Sequence, residues 1–136
     1  MNILIADDMQ GWLDFHLQNL KIFLKNKNIN FYSFLSAKEA YDFAFTFKDK
    51  INLVITDLEM EQMYDTPAGA WLINMLKNTN STKDARYIII SGSSFIAKVA
   101  EDTDADAFLR KPTYHSNPDN LKFLLQEMFG ENICRM

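Results

Sequence analysis

The chain has 136 residues and carries 14 basic and 18 acidic side chains, for a net charge of −4. That length supports one buried core without staples, and 48 % hydrophobic residues with only 4 Gly and 3 Pro exclude a disordered or fibrous class. The acidic balance argues against direct binding of a nucleic-acid backbone. A single cysteine, Cys134, leaves no internal disulfide framework.

Strand and helix patterns alternate along the chain. Asn2–Ala6 is an apolar run ending at two acids and predicts a buried strand, followed by a helix with Leu13, Leu17, Leu20 and Leu24 on one stripe. Ile29–Phe34 predicts a second strand. Ser36-Ala-Lys-Glu39 has the form of a capping box opening a helix through about Phe47. Asn52–Asp57 is a third strand, apolar on both faces and again ending in an acid. Thr66-Pro67 reads as a helix N-cap followed by proline at the first helical position, with the helix running to about Lys77. Tyr87–Ile90 is a fourth buried strand that runs into Ser91, and a short helix covers about Phe95–Asp102. Ala105–Arg110 is a fifth strand, halted by Lys111-Pro112. Asn117-Pro118 starts a last helix that runs through Phe129 and stops at Gly130.

Five such units, with strands buried on both faces, predict an α/β fold with a doubly wound parallel sheet covered by helices on each side. Ligands in these sheets bind at the carboxyl ends of the strands. Asp7 and Asp8 stand at the end of the first strand, Asp57 at the third, Ser91 at the fourth and Lys111 at the fifth. Three converging carboxylates repel one another unless a cation neutralises them. A hard divalent ion with oxygen ligands suits the set, and Mg²⁺ above others because it keeps waters and phosphate oxygens. A metal, a lysine and a hydroxyl together can hold the equatorial oxygens of a phosphoryl group, leaving one carboxylate as nucleophile. Singly, each residue has a plainer reading: an Asp after a strand caps a helix, and Lys-Pro makes a turn.

The ordered set Ile3-Leu-Ile-Ala-Asp-Asp8, Leu53-Val-Ile-Thr-Asp57, Ile88-Ile-Ile-Ser91 and Ala107-Phe-Leu-Arg-Lys-Pro112 resembles the receiver domain of bacterial two-component response regulators, over essentially the whole chain. The resemblance implies a flavodoxin-like (βα)5 fold with strand order 2-1-3-4-5 and a single receiver domain over 1–136. It also implies a stand-alone regulator, because the chain stops soon after the last helix. Asp57 would accept a phosphoryl group from a histidine kinase or histidine phosphotransfer protein. Asp8, Asp57 and the backbone carbonyl of Glu59 would ligate Mg²⁺, with Asp7 acting through water. Ser91 would bond a phosphoryl oxygen, Lys111 would pair with the acids and then with the phosphoryl group, and the Lys111–Pro112 peptide would be cis. Phe108 falls where the family keeps an aromatic switch, so a downstream protein is expected on the face of the fourth helix, fifth strand and fifth helix. Trp12 and Phe15 lie off the leucine stripe and are candidate anchors for the phosphohistidine-bearing partner. The expected setting is cytoplasmic, since the start lacks a signal peptide and no apolar run is long enough to insert in a membrane.

Three departures stand out. Glu61 replaces the proline that usually follows Met60, Gly69 answers the family's glycine only after about four extra residues, and the switch residue is Phe rather than Tyr. Two other readings compete. Asp57-Leu-Glu59 loosely mimics the Asp-x-Asp of aspartate-nucleophile phosphatases, and a receiver-like module can bind partners without being phosphorylated. His16 and His115 lack the spacing of a metal site, and Cys134 reads as an incidental thiol.

Overall fold

The computed structural model describes residues 1–135, so Met136, the last residue of the expected domain, lies outside the described residues. The strands are β1 (Asn2–Ala6), β2 (Asn30–Phe34), β3 (Leu53–Thr56), β4 (Arg86–Ser91) and β5 (Ala107–Arg110). They form one parallel sheet in the order β2-β1-β3-β4-β5, with Ile5 beside Ile55 and Ile55 beside Ile88 along the centre. The helices are α1 (Gln10–Phe23), α2 (Ala37–Thr46), α3 (Ala68–Leu76), α4 (Ile96–Thr103), α5 (Lys111–Ser116) and α6 (Asp119–Phe129). This is the doubly wound sheet that the apolar strand runs predict.

Two cores flank the sheet. On one face, Ala37, Ala40 and Ala44 let α2 sit close to Leu72, Ile73 and Leu76 of α3 over Leu4, Val54 and Ile89. On the other, Leu13 and Leu20 of α1 meet Leu121 and Leu125 of α6 over Ile3, Ile55 and Ile90. β1 and β3 are buried throughout and β4 all but Arg86, whereas the edge strands β2 and β5 are only partly covered. The expectation of burial on both faces therefore holds for the three central strands and not for the edges, which have a neighbour on one side only.

Local signals set most boundaries. The Ser36 hydroxyl accepts from the Glu39 N–H and caps α2, as the capping box predicts. Gly130, at φ 95°, ends α6 in a conformation that favours glycine. Thr66 does not cap α3: its N–H goes to the Met63 carbonyl, closing a tight turn through Tyr64, and the helix opens at Ala68. Helix α5 is absent from the sequence reading because six residues are too few for a helical period to register. The helix expected fifth is therefore the sixth. Leu24 lies just past α1 and pairs with Cys134 in an antiparallel bridge, so this thiol is packed into the second core rather than incidental.

Candidate functional site

The strand order sets β1 and β3 side by side at the sheet centre, so the residues that follow them meet. The Asp57 N–H continues the ladder to the Ala6 carbonyl at 2.9 Å, and the Asp7 N–H bonds the Phe34 carbonyl at 3.1 Å. Asp7 and Asp57 are buried and Asp8 faces solvent. One carboxylate oxygen from each of the three lies within 4.8 Å of the others. The Lys111 ammonium, carried in from the end of β5, sits 2.8 Å from Asp57 Oδ2 and 3.0 Å from Asp7 Oδ2. It also lies 4.9 Å from the centre of the Trp12 ring, within reach of a cation–π attraction.

Each acid has a distinct environment. Asp57 Oδ1 accepts from the Leu58 N–H at 2.6 Å and Asp7 Oδ1 from the Met9 N–H at 3.0 Å. Asp7 Oδ2 is fully buried, and Lys111 approaches it as an ion pair without hydrogen-bond alignment, so among the described residues this oxygen has no hydrogen-bond partner. Burial acts to raise the Asp7 carboxyl, but His16, the Met9 N–H and Lys111 outweigh it and hold the group below the usual carboxylate range. Asp8 moves the opposite way, raised by partial burial and by the charges of Asp7 and Asp57. Burial lowers Lys111, yet Asp57 and Asp7 more than offset it and keep the ammonium charged.

Gly69, at the start of α3, explains the spacing oddity. Its N–H bonds the Leu58 carbonyl at 2.9 Å, and a Cβ built there would collide with the Asp57 carbonyl oxygen and come within 2.8 Å of Leu58 Cα. Only glycine lets α3 seat against the backbone of Asp57. The longer loop is anchored by Glu61, whose two carboxylate oxygens accept from the Ala37 and Lys38 N–H groups at 2.8 and 2.9 Å. Glu61 thus caps α2 from across the loop and satisfies N–H groups that a helix leaves free. Burial opposes its charge, but these bonds lower its carboxyl overall. Tyr64, at the loop tip, is exposed and adopts φ 56°, a left-handed conformation costly for a bulky residue.

Ser91 is buried at the end of β4, where its Oγ accepts from the Ser93 N–H at 3.1 Å. Phe108, on β5, points outward, 37 % exposed, with the Arg110 guanidinium 5.7 Å from its ring centre. The Glu59 side chain is exposed and stands outside the three-carboxylate cluster. The Lys111–Pro112 peptide is trans, and no cis bond occurs among the described residues, which corrects the sequence expectation. Lys111 is already the first residue of α5, and Pro112 in the first turn has the fixed φ that starts a helix. Trp12 and Phe15 are half-buried and pack on α5 against Tyr114 and His115.

Sequence reading missed a buried polar group beside the acids. His16 Nε2 lies 3.9 Å from Asp7 Oδ2, and His16 Nδ1 lies 3.3 Å from the Tyr114 hydroxyl, which accepts from the Asn19 amide at 3.0 Å. His16 and Asn19 share a face of α1 at i and i+3; that spacing was the available signal, but it did not reveal the partner.

No family model matches the chain, and no curated protein matches it. Solved structures do. A CheY-like response regulator receiver domain protein from Methanospirillum hungatei JF-1 is 22 % identical, covering 96 % of this chain and 94 % of its own, with a TM-score of 0.71. A receiver domain protein from Clostridium thermocellum is 22 % identical with the same coverage and a TM-score of 0.72. The RcsB response regulator of Salmonella typhimurium, described for DNA interaction, is 21 % identical with a TM-score of 0.71; the match takes in 96 % of this chain but 61 % of RcsB. The chain has the fold of response regulator receiver domains.

A hard cation fits this pocket. Three carboxylates offer one oxygen each within 4.8 Å, one is open to solvent, and among the described residues the cluster is made of carboxylates alone.

Proposed function

We propose that this chain is a phosphoryl acceptor of a two-component relay, with Asp57 as the acceptor. The observation that carries the reading is the Lys111 ammonium bridging Asp57 and Asp7 inside a cluster of three strand-end carboxylates. A carboxylate oxygen of Asp57 attacks the phosphorus of a phosphohistidine. The new P–O bond forms as the P–N bond breaks, and the imidazole leaves with the electron pair. Attack by water on the same phosphorus later cleaves the P–O bond, releasing inorganic phosphate and restoring Asp57. The protein is thus a self-catalysing acceptor rather than a dedicated enzyme.

Asp8, Asp57 and the Glu59 carbonyl would hold Mg²⁺, with Asp7 acting through water; the ion supplies positive charge against the acids and the phosphoryl oxygens. Lys111 follows its negative partner from Asp57 to the phosphoryl group, and the Ser91 hydroxyl donates to another phosphoryl oxygen. Drawing Ser91 inward opens space for Phe108, which has no hydroxyl and is held inward by packing alone. Phosphorylation shifts this equilibrium only through the different contacts that Ser91 and Lys111 make in the two states. The downstream protein docks on α4, β5 and α6.

The donor, a histidine kinase or phosphotransfer protein, meets Trp12 and Phe15 beside a shallow cavity of about 300 Å³ that Met9, Gly11 and His115 also line. No helix among the described residues is long and apolar enough to cross a membrane; on this reading the protein works in the cytoplasm without inserting in a membrane or binding nucleic acid directly. The test is mass spectrometry after incubation with acetyl phosphate and Mg²⁺. One added phosphoryl group is expected, lost in Asp57→Asn and in EDTA. An adduct that survives either condition overturns the reading.

A further inference from the structure

Among the described residues, Asp7 Oδ2 is a buried anionic oxygen with no hydrogen-bond partner, and Lys111, 3.0 Å away, is its permanent cationic neighbour. On the phosphoryl-acceptor reading, on which this inference rests, Lys111 turns toward a phosphoryl group on Asp57 and its hold on Asp7 weakens. A buried carboxylate left without a donor is costly. His16 Nε2, buried and 3.9 Å away, is a donor candidate that remains beside it.

The hydrogen-bond chain behind His16 favours one of its two nitrogens as the proton carrier. The Asn19 amide donates to the Tyr114 oxygen, and among the described residues His16 Nδ1, 3.3 Å away, is the acceptor within reach of the buried Tyr114 hydroxyl hydrogen; a hydrogen on Nδ1 would leave that hydroxyl hydrogen unpaired and turn the Nε2 lone pair toward the Asp7 carboxylate. Nδ1 then accepts, and a neutral ring must carry its hydrogen on Nε2, the nitrogen that faces Asp7. The ring also packs against both Trp12 and Tyr114, at centroid distances of 5.8 and 5.5 Å, in a triangle closed by the 6.2 Å contact between those two rings. These contacts favour the Nε2–H tautomer and hold the ring in place before anything binds.

We infer that His16 is a positioning residue for the phosphoryl-acceptor pocket: its Nε2–H takes over Asp7 Oδ2 as Lys111 leaves, with Asn19 and Tyr114 fixing the tautomer. His16 touches neither phosphoryl group nor donor, and it acts through Asp7. The same chain ties α1 and α5 to the pocket, beneath the half-buried Trp12 and Phe15.

Long-range ¹H–¹⁵N correlation on the histidine rings of the labelled wild-type chain tests the tautomer directly. Expected is a neutral Nε2–H ring in the metal-free protein, with a shift of that hydrogen on adding Mg²⁺ and beryllofluoride. His16→Leu should lower Mg²⁺ affinity, read calorimetrically, and the rate of labelling by acetyl phosphate about tenfold, a usual effect for a residue that orients a metal-binding group. His16→Gln, whose amide N–H can reach the same place, should restore most of both. An Nδ1–H tautomer, or His16→Leu within twofold of wild type on Mg²⁺ affinity, overturns the inference. The tautomer needs no variant, so it decides the matter should His16→Leu fail to fold. If the wild type takes no phosphoryl group, the functional reading above falls, and the tautomer still reports on His16 separately.

Discussion

The two largest fully buried side chains are tyrosines, one in each core. Tyr87 donates its hydroxyl to the Thr82 carbonyl at 2.7 Å, closing a turn five residues away. Burial, with the charges of Asp106 and Asp84, pushes its phenol well above the ordinary value. Tyr114 is as deeply buried, and burial pushes its phenol up to about 12. Its hydroxyl instead meets Asn19 and His16 of α1, beside Asp7. The polar groups around Tyr87 follow its habit: Ser81 and Thr82 bond the backbone carbonyls of Ala44 and Leu76. Buried polarity on the α2–α4 face satisfies backbone carbonyls, while on the α1–α6 face it leads to the acids. The same chemistry serves folding on one side and the site on the other.

That contrast breaks first at Gly69, the point where the α2–α4 face touches the site. Gly69→Ala should cost about 3 kcal/mol by forcing α3 off Asp57, and it should also suppress labelling by acetyl phosphate. Denaturant unfolding and mass spectrometry read the two effects, and a normally stable, normally labelled variant would refute the close approach.

The tyrosines give the sharper pair. Tyr87→Phe and Tyr114→Phe should each lose about 1 kcal/mol of stability, the usual net worth of a buried hydrogen bond. Only Tyr114→Phe should also weaken Mg²⁺ binding. Equal Mg²⁺ affinity in both variants would erase the distinction between the faces.

Glu61 probes the loop that joins the α2–α4 face to the pocket. Its carboxyl is lowered in the folded chain, so its contribution is present above its unfolded value near 4.5 and fades as pH falls through the folded value. Glu61→Gln should therefore cost about 0.5 kcal/mol at pH 7, after allowance for its partial exposure, and nothing in strong acid. Parallel pH–stability curves for variant and wild type would contradict the cap.

Asp8 gives the smallest effect, with the opposite sign. Its carboxyl is raised, so folding is favoured below its unfolded pKa and loses that support as pH rises through the folded value. Asp8→Asn should stabilise the metal-free protein by about a few tenths of a kcal/mol at pH 7, since solvent screens an exposed charge, while abolishing Mg²⁺ binding. A clear fall in melting temperature would mean that Asp8 is mainly a turn former.

Sequence pattern alone determined the central strands, because Ile3–Ala6, Leu53–Thr56 and Tyr87–Ile90 are unbroken runs of residues fit for burial. It also determined that Asp7, Asp57 and Lys111 meet, since each directly follows a strand and parallel strands present their carboxyl ends at one edge. Tertiary structure decided what a local period does not carry. The partner of His16 is a hydroxyl 98 residues away on a helix of six residues. Glu61 finds its partners 23 and 24 residues back, at the start of α2, where the β3–α3 loop crosses it. Lys111 enters a helix through a trans peptide, and Cys134 is buried only because the chain returns to Leu24. A polar side chain specifies that it needs a donor or an acceptor; which group supplies it depends on surfaces that exist only once distant segments have packed.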